Sequence, residues 1–221
     1  MSSIFDILGP VMVGPSSSHT AGAVRIGLMC RELLHEDPVK ACITLCGSFA
    51  ATGHGHGTDC AIIAGLLGFQ THDLRIPQSF DLAKDEGLDF SFSQKELFDA
   101  HPNTAIIELT GANGRELSVQ ASSIGGGRIM INKIDGIDVN FTGEKPTLIV
   151  HNYDQSGHVA AVTSLFHFNK INIASMQLFR NQKGGYAVMV IESDEEIPKE
   201  IITQIEKYDG IIKVTLCNAL L

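Results

Sequence analysis

The sequence predicts a mixed α+β protein of two domains, and three observations support this prediction. The chain has 221 residues, of which 44% are hydrophobic and 19% are charged, so it can fill one large core or two small ones. Helical and strand-type hydrophobic periodicities both occur along it. The polar segment Asn140–Pro146 separates a first part with irregular spacing from a second part with very regular spacing. We therefore place the two domains at residues 1–143 and 146–221.

In the first domain, polar segments alternate with predicted helices and strands. The opening segment Ile4–Val13 is apolar and fits either a helix or a strand. Ala21–His35 and Asp59–Leu67 are predicted helices, and Gln94–His101 is predicted to be a short helix that ends before a proline. The predicted strands are Lys40–Phe49, Ala105–Thr110, Glu116–Ser122 and Arg128–Ile134, with a hairpin turn joining the second to the third.

The second domain has a regular alternation that predicts its topology. The order strand, helix, strand, strand, helix, strand is that of the ferredoxin-like split βαβ arrangement. The predicted strands and helices, in chain order, are strand Thr147–Asn152, helix Gly157–Asn169, strands Ile171–Arg180 and Gly185–Ser193, helix Pro198–Tyr208 and strand Ile211–Cys217.

Charge and hydropathy exclude two classes of partner. The formal net charge is −9 and the basic residues are scattered, which disfavours nucleic acid, since binding it depends on Lys and Arg at the phosphates. The longest apolar stretch, Ala61–Phe69, is far shorter than the ~20 residues of a membrane span. Met1–Gly14 lacks the basic start and the cleavage site of a signal peptide. We therefore expect a cytoplasmic protein that binds neither membrane nor nucleic acid.

The five cysteines do not form a recognisable metal or disulfide pattern. Their number is odd and no pair has C-x-x-C spacing, so we expect free thiols in a reducing compartment. Cys42 and Cys46 lie in a predicted strand and are expected to be core residues. An iron–sulfur cluster normally needs three or four thiolates, and the sequence offers no convincing set.

The first polar segment, Ser16–Thr20, carries more hydroxyls than a helix start requires. One hydroxyl is enough to cap a helix, whereas here Ser16, Ser17 and Ser18 are followed by His19 and Thr20. Hydroxyl donors beside the exposed N–H groups of a helix start favour an anion. The segment is therefore predicted to hold a carboxylate.

The second polar segment, Gly53–Gly57, places His54 and His56 between glycines. If the segment is extended, both imidazoles point the same way and face one ligand. Histidine suits proton transfer because its unperturbed pKa of ~6.5 lies near working pH. The residues alone leave a zinc site open, with His54, His56 and a third ligand.

The third polar segment, Ser122–Gly127, ends in three glycines. Gly125–Gly127 are predicted to form a bulge or to let the backbone approach a ligand closely. The shorter polar cluster His101–Asn103 is predicted to have a structural role.

The second domain also contains candidate ligand residues. Gly157 lies where a strand passes into a helix, so its backbone can approach an anion. Asn152 and Asp154 end that strand, and Asn172 begins the next one, where it could reach an amino or carboxyl group. The alternative is that these three polar side chains only cap turns.

These segments resemble known families. Leu148–Val159 followed by Asn172-Ile-Ala resembles the ACT domain, a module that binds small amino acids and regulates metabolic enzymes. The first domain resembles the allosteric substrate-binding domain of some phosphoglycerate dehydrogenases. The whole chain resembles the β subunit of iron–sulfur-dependent L-serine dehydratase through Gly-Pro-Ser-Ser-Ser-His-Thr at 14–20, Gly-His-Gly-Thr-Asp at 55–59, Ala-Gly-Leu-Leu-Gly at 64–68, His-Pro-Asn at 101–103 and Ser-Ile-Gly-Gly-Gly at 123–127.

The resemblance implies a lyase subunit that is inactive alone. That family converts L-serine to pyruvate and ammonia with a [4Fe–4S] cluster held by cysteines of a catalytic α subunit. The resemblance implies that this chain covers the cluster-bearing subunit in a heterodimer, binds no metal itself, and self-associates through its ACT domain. Two alternatives remain open: a purely regulatory subunit, and a stand-alone amino-acid-binding protein.

The resemblance also assigns roles to the candidate residues. It leaves the choice among the three imidazoles open. The implied catalytic residues are His19, His54 and His56, the implied substrate-binding residues are Ser16, Ser17, Ser18, Thr20, Gly125 and Gly126, and the implied effector-binding residues are Asn152, Asp154, Gly157 and Asn172.

Overall fold

The computed structural model describes residues 10–219, so residues 4–9 of the predicted opening segment lie outside the described part. The chain divides into two compact units, the first ending at Gly136 and the second beginning at Ile137. This division comes earlier than the predicted boundary at residues 143–146, because a strand at Ile137–Phe141 groups with the second unit. Both units mix helices and strands, which confirms the α+β class.

The helices of the first unit begin with an irregular turn. A five-residue π-helical turn, Ser17–Ala21, continues directly into α1 (Gly22–Leu34). α1 and α3 approach each other at two glycines: a Cβ on Gly27 would lie 2.3 Å from the Ile62 carbonyl oxygen, and a Cβ on Gly65 would lie 2.1 Å from that of Val24. The other helices are α2 (Gly47–His56), α3 (Thr58–Leu66) and α4 (Ser79–Asp85), the last following a short 3₁₀ turn, Ile76–Gln78.

A mixed sheet completes the first unit. In it, β1 pairs in parallel with β2 and antiparallel with β3, and the pairs β3–β4 and β4–β5 are antiparallel, giving the order β2-β1-β3-β4-β5. α1 packs against β4, so this helix and the sheet share a core. The strands are β1 (Pro38–Cys46), β2 (Asp89–Lys95), β3 (Asn103–Gly111), β4 (Glu116–Gly125) and β5 (Arg128–Ile134).

The predicted helix Gln94–His101 is wrong. Gln94 and Lys95 end β2, where they pair with Leu45 and Cys46 of β1, and the following residues form a turn. Pairing with a neighbouring strand overrides a local preference in this polar segment, since strand formation depends on context.

The second unit has the predicted element order. Strand β6 (Ile137–Phe141) precedes it, and the sheet order is β10-β7-β9-β8 with all neighbours antiparallel. Both helices contribute apolar side chains to a core on one face of the sheet, among them Phe166 and Ile201. The remaining elements are β7 (Thr147–Tyr153), α5 (His158–Phe168), β8 (Ile173–Arg180), β9 (Tyr186–Ser193), α6 (Lys199–Ile205) and β10 (Ile211–Cys217).

Among the described residues, no helix combines the length and apolarity that crossing a bilayer requires.

Candidate functional site

The segment Ser16–Thr20 forms the start of the long helix that ends with α1. Ser16 is extended, and its hydroxyl accepts a hydrogen bond from the His19 backbone N–H at 3.2 Å, so it is the helix cap. Ser17 and Ser18 lie in the first turn, half-buried, and their hydroxyls have no hydrogen-bond partner within residues 10–219. Because only one hydroxyl is needed as a cap, the other two remain available to a ligand.

The imidazole of His19 lies at the centre of this region. Its Nε2 atom is 3.2 Å from the Ser48 hydroxyl and 3.0 Å from the Thr52 hydroxyl, and its Nδ1 atom is 3.4 Å from the Ser16 hydroxyl. Its ring packs edge-on against Phe49, with 5.4 Å between centroids. Polar contacts on both nitrogens and a ring contact therefore fix its orientation.

α2 supplies these contacts, and it also corrects the prediction for the two glycine-flanked histidines. The segment Gly53–His56 is helical rather than extended, and the helix ends at Gly57 in a left-handed conformation with φ of 69°. Residues two apart on a helix have Cα–Cβ directions that differ by about 200°. The prediction that this segment is extended, on which a shared face for His54 and His56 depended, is therefore wrong. The His54 side chain lies outside the described part.

His56 nevertheless reaches the site. Its ring meets that of His19 edge-on at 5.1 Å, and its backbone carbonyl accepts a hydrogen bond from the Thr20 hydroxyl at 3.5 Å. The structure thus brings together His19, His56 and Thr20, three of the residues that the sequence singled out.

Electrostatics favour a neutral imidazole at His19. Burial lowers the pKa of His19, and the positive charge that His56 can carry lowers it further, while a hydrogen bond to the Ser48 backbone partly opposes both effects. An imidazole that stays neutral can accept a proton, as a general base must.

The three-glycine turn between β4 and β5 closes on the same helix start. Gly125 and Gly126 have φ of 100° and 62°, values that glycine adopts readily, and a Cβ on Gly125 would meet nothing within 4 Å. A Cβ on Gly127 would lie 3.4 Å from the Cβ of Ala21. The turn therefore borders the Ser16–Thr20 segment and leaves open space at Gly125.

Three site residues were not predicted from the sequence. Ser48 and Thr52 lie one turn apart on α2, in a region that the sequence divided between a strand and a loop. Ser123 is fully buried, and its hydroxyl has no hydrogen-bond partner among the described atoms. A Cβ on Gly22 would lie 2.1 Å from that hydroxyl, so Ser123 borders the start of α1. The i, i+4 spacing of two hydroxyl residues was the available signal for Ser48 and Thr52.

The cluster His101–Asn103, whose structural role stays a prediction, makes hydrogen bonds within the fold. The His101 Nδ1 atom accepts a hydrogen bond from the Asn103 N–H at 3.1 Å. The carbonyl of Pro102 accepts one from the Ser48 N–H at 2.7 Å, which anchors the first turn of α2. This contact holds the hydroxyl residues of α2 against His19.

In the second unit, the candidate effector residues lie in two places. Asn152 is only 3% exposed. Its side-chain Nδ2 donates a hydrogen bond to the Tyr153 carbonyl at 2.6 Å and lies 3.2 Å from His158 Nδ1. Its Oδ1 atom has no partner among the described atoms. Asp154 accepts hydrogen bonds from Gly184 N at 3.0 Å and Arg180 Nη1 at 2.9 Å. These two contacts, that of Gly184 first, lower the pKa of Asp154.

Gly157 and Asn172 lie at opposite ends of the sheet of the second unit. Gly157 has φ of 103°, precedes α5 near Asn152, and has open space where a Cβ would lie. Asn172 donates to Asp194 Oδ2 at 2.7 Å, beside the far end of β9. Asn152 pairs with Ala187 whereas Ile173 pairs with Ser193, so about six residues, or roughly 20 Å, separate the two groups along the sheet. Within one chain the structure does not bring Asn172 to the other three.

The cysteines do not fit an iron–sulfur cluster. No group of three or more His, Cys, Asp or Glu side chains in residues 10–219 is placed to hold a metal ion. All five thiols are free, and burial raises the pKa of Cys30, Cys46 and Cys60, which disfavours the thiolate that a cluster needs. Cys46 is buried as predicted, whereas Cys42 is only half-buried.

The fold and the site define a two-part α+β protein, with a Ser/His-bearing unit followed by a small βαββαβ unit. Comparison with known families agrees: the family described as serine dehydratase beta chain matches residues 3–85, and the ACT domain matches residues 146–210. The chain belongs to the serine dehydratase β-chain family.

Curated relatives support this assignment over most of the chain. The probable L-serine dehydratase, beta chain, of Bacillus subtilis is 42% identical over 213 residues, covering 96% of each chain. The L-serine dehydratase, beta chain, of Peptoniphilus asaccharolyticus is 40% identical over 200 residues, covering 90% of each. The L-serine dehydratase of Helicobacter pylori is 31% identical over 142 residues, covering 55% of this chain and 31% of the relative.

Proposed function

We propose that this chain is the cytoplasmic β subunit of a heteromeric L-serine dehydratase, which converts L-serine to pyruvate and ammonia. The observation that carries the proposal is the placement of the His19 imidazole at a helix start, beside serine hydroxyls that have no partner among residues 10–219. Relatives named as beta chains of this enzyme, similar over nearly the whole chain, support the same conclusion.

The helix start is suited to the substrate carboxylate. Ser17 and Ser18 offer hydroxyl donors, and the first-turn N–H groups of a helix carry partial positive charge. The open space at Gly125 lets a small ligand approach the same place. We infer that Ser16–Ser18, Thr20, Gly125 and Gly126 bind the substrate.

Among the three candidate histidines, His19 has the best support as the proton acceptor. Its Nδ1 atom faces Ser16, the residue that caps the proposed carboxylate site, at 3.4 Å. Burial lowers its pKa, which favours the unprotonated form that a base requires. We infer a secondary role for His56, whose ring contacts His19, and retain His54 as a candidate from the sequence alone.

A partner subunit supplies what this chain lacks. The [4Fe–4S] cluster of this enzyme class would polarise the substrate hydroxyl, and its ligands would come from the α subunit, since the described cysteines here do not fit it. The aligned part of the Helicobacter pylori L-serine dehydratase is 31% of its length, so most of that relative corresponds to material outside this chain. This agrees with an α partner.

The second unit is proposed to regulate the enzyme by self-association and effector binding. Asn152, Asp154 and Gly157 lie at one end of its sheet and Asn172 at the other. An effector site that uses all four would therefore need two copies, with Asn172 contributed by the second copy.

Anaerobic co-expression with the α subunit tests the proposal. We expect a brown, iron-containing complex with L-serine dehydratase activity, and we expect His19→Gln to lower kcat by about 10²–10⁴-fold, the usual contribution of a general base. His167→Gln, on the exposed side of α5, is the matched control and should leave kcat unchanged.

Three outcomes would contradict parts of the proposal. A colourless homodimer that never retains iron would favour a stand-alone amino-acid-binding protein. If His19→Gln changes the serine saturation curve and leaves the maximal rate intact, the first unit is regulatory. Full activity in the His19, His54 and His56 variants would remove the catalytic role altogether.

A further inference from the structure

The hydrogen bonds of Thr52 determine which nitrogen of His19 carries the proton. The Thr52 hydroxyl donates to the Ser48 backbone carbonyl one turn earlier in α2, at 2.8 Å. A hydroxyl has a single proton, so this bond uses the only one that Thr52 can donate. At the 3.0 Å contact between Thr52 Oγ1 and His19 Nε2, the threonine must therefore accept and the imidazole must donate.

The opposite tautomer would be unfavourable at this position. With the proton on Nδ1, the lone pairs of His19 Nε2 and Thr52 Oγ1 would face each other at hydrogen-bond distance. Relief would require Thr52 to release the Ser48 carbonyl, which would then lose a hydrogen bond. The Ser48 hydroxyl lies 3.2 Å from the same nitrogen and can also accept a hydrogen bond from an N–H there.

The proton on Nε2 leaves Nδ1 as the basic atom, and Nδ1 faces the helix start. The Ser16 hydroxyl already accepts from the His19 backbone N–H at 3.2 Å. Its own proton is then free to point towards Nδ1, 3.4 Å away. The three hydroxyl residues thus form an ordered chain in which Thr52 and Ser48 fix one side of the ring and Ser16 marks the reactive side.

We propose that Thr52 is a positioning residue that fixes the His19 tautomer, so that Nδ1 is the nitrogen that accepts the proton. The proposal rests on the proposed function, because it matters for turnover only if His19 acts as the base. When Nδ1 accepts a proton, the ring becomes a cation with N–H donors on both nitrogens. The Nε2–H bond to Thr52 is kept throughout, so no rearrangement of α2 is required.

Nitrogen-15 NMR on the full-length chain tests the tautomer directly. Two-bond correlations from the ring protons identify the protonated nitrogen of each imidazole, and loss of the signals in His19→Gln assigns those of His19. Thr52→Ser keeps the hydroxyl, whereas Thr52→Val removes it with little change in shape. Thr163→Val is the matched control, because Thr163 donates to the Val159 carbonyl at 2.9 Å in the same helical arrangement with no imidazole among its partners.

We expect a protonated Nε2 in the unmodified chain, in Thr52→Ser and in Thr163→Val, and a mixture of both tautomers in Thr52→Val. In the complex with the α subunit, Thr52→Val should lower kcat by about tenfold, the size expected for the loss of one hydrogen bond, and Thr52→Ser should restore it.

A protonated Nδ1 in the unmodified chain would overturn the proposal, and so would an unchanged tautomer in Thr52→Val. If Thr52→Val does not fold, the tautomer of the unmodified chain still tests the proposal, because a protonated Nδ1 there would contradict it. If Nε2 is protonated but His19→Gln retains full turnover, the tautomer assignment holds and the catalytic role of His19 fails, so the two failures are distinguishable.

Discussion

Two regions of this molecule are rich in polar side chains, and they use them differently. At the start of α1, Ser17 and Ser18 have hydroxyls without partners in the described part, and Ser123 has a buried hydroxyl that is also unpaired. In the second unit, Asp154 is hydrogen-bonded to Gly184 and Arg180, and Asn172 to Asp194. Polar groups that the fold already satisfies contribute to structure, whereas unsatisfied ones are available to a ligand.

The comparison also identifies an exception in the second unit. Asn152 is buried, and its Oδ1 atom has no partner among the described atoms. An effector that brings a donor, such as an amino group, would satisfy this oxygen. Of the four effector candidates, Asn152 therefore has the strongest physical reason to bind one.

Among the variants that test this difference between the two regions, we expect the largest effect from removing the hydroxyls at the helix start. The double variant Ser17→Ala, Ser18→Ala removes two donors that the fold itself does not use, so stability should change little. The KM for L-serine should rise by about tenfold or more, since hydrogen bonds to a charged group are worth about 1.5–3 kcal/mol each. Steady-state kinetics of the complex measure this. An unchanged KM would show that the carboxylate binds elsewhere.

The sequence predicted the second unit better than the first, for a physical reason. In Thr147–Cys217 each strand and helix has its own periodicity and its own turn, so local patterns were sufficient. α2 was not predicted from the sequence, because Gly53 and Gly55 each disfavour a helix by about 1 kcal/mol. The Pro102 carbonyl, which is distant in sequence, accepts a hydrogen bond from the first turn of α2 and so stabilises the helix. Local sequence patterns do not reveal this contact.

The same distinction explains which site residues were found. Ser16 and His19 lie three residues apart in one short segment at a helix start, so their association could be read from the sequence. Ser48 and Thr52 are separated from His19 by 29 and 33 residues, and only the packing of α2 against the start of α1 brings them together. Contacts made by tertiary packing leave no local periodicity for a sequence to show.

A smaller effect, on the free energy of unfolding, is expected from substituting two neighbouring serines in β4, and its sign should differ between them. Ser123→Ala removes a buried hydroxyl without a partner and should raise the free energy of unfolding by about 1 kcal/mol. Ser122 is the matched control: its hydroxyl pairs with Thr104 at 2.8 Å and Asn132 at 2.7 Å, so Ser122→Ala should lower the same quantity by about 1–3 kcal/mol. Urea denaturation of the isolated chain measures both. Equal destabilisation by the two variants would mean that Ser123 is satisfied, for example by a bound water.

The smallest effect is expected in the second unit, at Asp154→Asn. This isosteric change weakens the contacts to Arg180 and Gly184, which are exposed and therefore contribute little. Turnover of L-serine by the complex without added effector should be the same as for the unmodified protein, because the proposed chemistry lies in the first unit. Asn152→Asp is a second, informative variant. Among the described side chains of the second unit it alters the one buried group with an unpaired acceptor, so it should abolish any response to added amino acids. A fall in basal turnover with Asp154→Asn would show that the second unit takes part in the reaction. The assignment of chemistry to the first unit and of regulation to the second would then be wrong.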